Sequence, residues 1–132
     1  MENRTKCKVM IDRINSDKVI DIELTRDLCE GIYAITKVVG KVLGEKNEDI
    51  KSAALEILNQ VPKEYAGIVE VPFTGEAAVS ILSLCLLAKE MKPKGEHLEW
   101  IMPLTDSITL SIQKERIQCK IIIDNAEAFV NP

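Results

Sequence analysis

The sequence predicts an α+β fold in a single domain spanning residues 1–132. It reads as a mainly antiparallel sheet, with hairpins at both chain ends and three helices packed on one face. Three observations carry this reading. Segments near both ends alternate apolar and polar residues with period two. Segments between them repeat apolar residues at spacings of three and four. The two kinds cluster along the chain instead of alternating, which favours α+β over a parallel α/β architecture. At 132 residues the chain can bury a core without metal or disulfide support.

Taken in order, "KCKVMIDRI" sets Cys7, Val9 and Ile11 opposite Lys8, Met10 and Asp12. "NSDK" supplies turn residues, and "VIDIELT" sets Ile20, Ile22 and Leu24 opposite Asp21 and Glu23. Two alternating runs across a polar turn predict a hairpin with one wet face. Thr25 can cap a helix whose stripe is Leu28, Ile32, Ile35, Val39 and Val42, with Gly44 as its stop. Asn47 opens a second helix, striped by Ile50, Ala54, Ile57 and Val61 and ended by Pro62. "AGIVEVPF" predicts a short strand, and a helix over 74–91 follows, closed by "MKPKG". "HLEWIMPLTD" suggests a short strand broken at Pro103. Ile108, Leu110 and Ile112, then "KER", then Ile117, Cys119, Ile121 and Ile123, predict a final hairpin.

The 74–91 helix poses a physical problem. Between Ala77 and Ala88 its only polar side chains are Ser80 and Ser83. Each large aliphatic side chain left in water forgoes about 1.5–3 kcal/mol. A whole domain is stable by only about 5–15 kcal/mol. The helix must therefore be covered nearly all round, either as the central helix of its own chain or against a second copy. The first helix also carries apolar residues beyond its stripe, which adds to the case for a homo-oligomer.

The charge balance narrows the functions. Net charge is −4, and aromatic residues are few, so general nucleic-acid binding is not expected. The longest apolar run is about a dozen residues, against about 20 for a membrane span. "MENRTKCKVMID" has no secretory h-region, which predicts a cytoplasmic protein. Cys7, Cys29, Cys85 and Cys119 lack the close pairing of zinc ligands, so reduced structural thiols and no metal or other cofactor are expected.

Two places merit comparison as ligand sites. Phe73, Thr74 and Gly75 sit where a strand meets a helix, a position whose free N–H groups can hold an anion. The missing second glycine and Lys-Ser/Thr pair, and the carboxylate of Glu76, favour a plain cap. His97 lies between Glu96 and Glu99 and near Trp100, a pattern fit for a general base or for a solvated loop. No catalytic signature is present: the G-x-S-x-G elbow is absent, and Cys85 sits in the most apolar segment. The wet sheet face should present Lys8, Asp12, Asp21, Glu23, Thr109, Ser111, Gln113, Gln118 and Lys120, with Met10 and Ile122 discordant. The expected function is thus a small non-enzymatic interaction module, self-associating and serving an unknown protein partner. The alternative is a small-ligand binding protein or small enzyme with its pocket near 73–76 and 96–103.

Overall fold

The computed structural model describes residues 7–38, 43–91, 100–123 and 126–130. Along the chain run β1 (Cys7–Ile11), α1 (Arg13–Asp17), β2 (Val19–Thr25), α2 (Arg26–Val38) and α3 (Lys46–Gln60). There follow β3 (Ile68–Thr74), α4 (Gly75–Met91), α5 (Ile101–Lys114), β4 (Cys119–Ile123) and β5 (Ala126–Val130). The α+β class holds, with five helices among the described residues instead of three.

The strand pairing departs from expectation. β1 and β2 do not form a hairpin; "NSDK" lies largely within α1, capped by Asp12, whose carboxylate accepts the Asn15 N–H at 2.7 Å. β1 pairs instead with β4, in a three-stranded antiparallel sheet of order β1-β4-β5. β2 pairs with β3 as a separate two-stranded antiparallel sheet. The alternation of β2 is as read: Ile20, Ile22 and Leu24 are buried, while Val19, Asp21 and Glu23 are exposed. Its buried side contributes Ile20, Ile22 and Leu24 to the core shared with the helices.

Residues 101–114 are helical where the sequence suggested strands. Ile101, Leu104, Ile108 and Ile112 form its buried stripe, at spacings of three and four. Pro103 falls in the first turn, where its missing N–H has no intrahelical partner to lose. "KER" ends this helix instead of turning a hairpin. Arg116 takes a left-handed φ of 56°, its N–H donates to the Gln113 carbonyl, and the Ile117 N–H donates to the Ile112 carbonyl. That is a Schellman stop, and it aims the chain into β4. The C-terminal hairpin that does exist joins β4 to β5.

The other helices follow their sequence signals with one exception: Asn47 does not open α3 but lies inside it, its Nδ2 donating to the Thr36 carbonyl at 3.2 Å, and Glu45 stands at the N-cap. Thr25 Oγ1 accepts the Leu28 N–H and so caps α2. α3 ends at Val61, just before Pro62. Gly44 adopts φ 61°, a conformation that suits glycine. Val39, Val42 and the expected stop after Met91 fall outside the described residues or their described side chains.

The helix without a polar face is the centre of the molecule. α4 packs against α1, α2, α3 and α5 and against β1, β3 and β4. Ala78 to Cys85, Leu87 and Ala88 are buried. Ser80 and Ser83 are buried with them, and Ser83 Oγ donates to the Ser80 carbonyl at 2.6 Å. The serine satisfies its hydroxyl on the helix itself, so it needs no water. Covering α4 therefore requires no second chain.

Cys29, Cys85 and Cys119 are buried thiols. Burial pushes the Cys85 thiol up from 9.0 to about 12, offset in part by a hydrogen bond with Thr105. Below 9.0 the thiol is neutral folded and unfolded alike, and its contribution is complete; between 9.0 and about 12 only the unfolded thiol ionises, so stability is lost as pH rises. Cys85 is accordingly expected to resist alkylation at neutral pH and to react once the chain is unfolded. Mass spectrometry after a timed iodoacetamide pulse decides this; labelling of Cys85 in the native protein would contradict it.

Candidate functional site

The strand–helix junction at 73–76 is built as a cap. Phe73 is buried in the core. Thr74 Oγ1 accepts the Ala77 N–H at 3.1 Å, and the Gly75 N–H donates to the Lys18 carbonyl at 2.7 Å. The glycine is there for another chain segment: a Cβ at Gly75 would lie 2.0 Å from the Asn15 carbonyl oxygen. Glu76 accepts a hydrogen bond from Ser16 Oγ, closing α1 over the start of α4. Two of the N–H groups that could have held an anion are thus engaged by the protein. Trp100 stands at the N-cap of α5, and its ring lies against Gly31 of α2. His97 lies outside the described residues.

The open space is elsewhere. A cavity of about 380 Å³ lies between the outward face of the β2–β3 sheet and α5. Its lining includes Val19, Asp21, Glu23 and Glu70 from the strands, and Leu110, Ser111 and Lys114 from the helix. Phe73, Thr74, Gly75 and Trp100 do not line it. Glu115, which also lines it, is held by Lys18, whose Nζ bonds to the Glu115 carboxylate at 3.0 Å and to the Glu115 carbonyl at 3.2 Å. That pair ties the start of β2 to the end of α5.

Strand register concentrates charge on this face. Glu23 lies directly opposite Glu70, and Asp21 opposite Pro72. The Gly75 to Lys18 bond sets the alternation, so that 20/73, 22/71 and 24/69 are the hydrogen-bonded pairs. Glu23 and Glu70 then form a non-hydrogen-bonded pair, the closer type, with Cα atoms about 4.5 Å apart. Pro72 falls where its missing N–H costs the ladder nothing. Among the described residues, neither glutamate has an ion pair or hydrogen bond.

Like charges directly across a sheet destabilise it, and opposite charges contribute roughly 0.2–1 kcal/mol. Glu23→Lys is therefore expected to raise stability by roughly that 0.2–1 kcal/mol, read from urea unfolding. An unchanged or lower midpoint would show that the two carboxylates do not interact.

Exposed aliphatic side chains join the carboxylates. Val19 is 64% and Leu110 65% exposed, and both line the cavity. Ser111 Oγ donates to the Ser107 carbonyl, so this hydroxyl is satisfied within α5. Among the described residues no group of three or more His, Cys, Asp or Glu converges on a point that could hold a metal ion. No helix there is long and apolar enough to cross a membrane. No family model, curated protein or solved structure matches this chain. The site must be read from its own chemistry. It is an open groove with an acidic strand wall, a mostly polar helical edge, and the exposed aliphatic side chains of Val19 and Leu110.

Proposed function

We propose that this chain is a small non-enzymatic interaction module that docks another macromolecule in the groove between the β2–β3 sheet and α5. One observation carries the reading: the groove sets the opposed carboxylates Glu23 and Glu70 beside the exposed side chains of Val19 and Leu110. Glutamates placed face to face weaken the fold, and a partner able to neutralise them would turn that cost into affinity. Exposed aliphatic groups flanked by charge resemble the make-up of transient interfaces, where apolar anchors sit within a polar rim. Self-association belongs to the same proposal, and a homo-oligomer would use this surface, since α4 is already covered. We place the module in the cytoplasm, where its thiols would stay reduced.

Position-specific photo-crosslinking in the expressing cell tests this. A photoreactive residue at Leu110 is expected to trap a discrete protein partner, whereas one at exposed Leu55 of α3 is not. A product of twice 14.7 kDa would identify self-association, and any other mass a different partner. Absence of a product from position 110, or equal products from both positions, would overturn the reading.

A further inference from the structure

The groove also indicates the chemistry of what it holds. Its lining has four carboxylates, Asp21, Glu23, Glu70 and Glu115, against one amine, Lys114. Lys18 engages Glu115, so three carboxylates remain for whatever enters. The whole chain carries a net charge of −4, which repels an acidic partner and attracts a basic one.

The arrangement of these charges separates a point cation from a spread one. A hard metal ion needs several oxygens within about 2.0–2.6 Å of one centre. The groove carboxylates do not converge in that way. Asp21 and Glu23 are two residues apart on one strand, about 7 Å at a rise of 3.2–3.4 Å per residue. Alternate side chains of any extended peptide repeat at the same distance. Glu70 adds a third carboxylate across from Glu23, and Val19 and Leu110 offer an aliphatic contact at the same site.

We infer that the occupant is an extended, basic segment of another protein. Its alternate lysine or arginine side chains face Asp21, Glu23 and Glu70, and an aliphatic side chain rests on Val19 and Leu110. The inference depends on the docking function proposed above and adds the partner's chemistry to it. Arginine suits this wall particularly, because its planar fork pairs with a carboxylate through two parallel hydrogen bonds.

Fluorescence anisotropy with labelled synthetic peptides tests it. A Lys-Val-Lys-Leu-Lys peptide is expected to bind, and its Glu-Val-Glu-Leu-Glu counterpart is not. Affinity should fall as salt rises from about 0.1 M to 1 M, where the Debye length shrinks from about 10 Å to 3 Å. The double exchange Glu23→Lys with Glu70→Lys keeps a like-charged pair while reversing the sign of the wall. It should weaken the basic peptide by about tenfold or more, a change of about 1.4 kcal/mol. Glu48→Lys, on the exposed face of α3, should leave binding unchanged. Circular dichroism serves to check that each variant is folded. Equal binding of both peptides, or equal loss in Glu48→Lys, would overturn the inference, as would spermine displacing the peptide at its own affinity. Failure of both peptides while position 110 still crosslinks a partner would refute the basic segment and leave the docking function standing. Failure of peptides and crosslinking together would remove both.

Discussion

Leu84→Asp is expected to leave the chain unfolded. Leu84 is fully buried in α4, which touches four helices and three strands. An aspartate there would either hold a charge without a partner or take up a proton and still bury an unsatisfied carboxyl. Either outcome belongs to the rare class of substitutions costing more than about 4–5 kcal/mol, comparable with the whole stability of a small domain at about 5–15 kcal/mol. Leu84→Ala keeps the site apolar and should cost about 2–5 kcal/mol, leaving a folded but weakened protein. Circular dichroism of the two variants separates them. A cooperatively folded Leu84→Asp protein with wild-type stability would contradict the central position of α4.

Gly75→Ala is the second large effect. The added Cβ would meet the Asn15 carbonyl oxygen at 2.0 Å and its carbon at 3.0 Å. Both are backbone atoms, so relief requires α1 to move away from the start of α4. Overpacking of this kind costs about 1–3 kcal/mol and sometimes more, and here it should reach the top of that range. It should also break the 2.7 Å bond from the Gly75 N–H to the Lys18 carbonyl. Gly44→Ala provides the contrast. It meets nothing within 4 Å, and only its φ of 61° is unfavourable. The left-handed penalty is about 1–2 kcal/mol. Urea unfolding should rank Gly75→Ala as the more damaging; the reverse order would show that the α1–α4 contact is loose.

The course of the chain was largely legible from local pattern, and its pairing was not. β2 could be read because Ile20, Ile22 and Leu24 alternate strictly with exposed neighbours. The need to cover α4 nearly all round could be read from its apolar circumference, but whether its own chain or a second copy supplied the cover could not. The strand at 108–112 was misread because a short window satisfies two periods at once. Ile108, Leu110 and Ile112 alternate, yet the longer series Ile101, Leu104, Ile108, Ile112 is helical. Leu110, the residue that completed the false alternation, is among the most exposed apolar side chains described. Pairing β1 with β4 joins segments over 100 residues apart, and no local pattern specifies such a register.

The site shows the same division. Asp21 and Glu23 could be placed on a wet face from sequence alone. Glu70 could not join them, because β2 was expected to pair with β1 and not with β3. The helical wall was hidden by the strand reading of 108–112. Conversely, Gly75 is a glycine between strand and helix, a pattern shared by anion sites and tight packing. The carbonyl that accounts for it belongs to Asn15, 60 residues earlier in the chain.

The central claim, that this groove is where the chain meets its partner, is tested most directly by an amide chemical-shift map of the labelled protein titrated with the Lys-Val-Lys-Leu-Lys peptide. Progressive shifts confined to Val19, Asp21, Glu23, Glu70 and the 107–115 face of α5 are the predicted result. Shifts centred on any other surface would contradict it, and no shifts at millimolar peptide, together with no crosslink from position 110, would do the same.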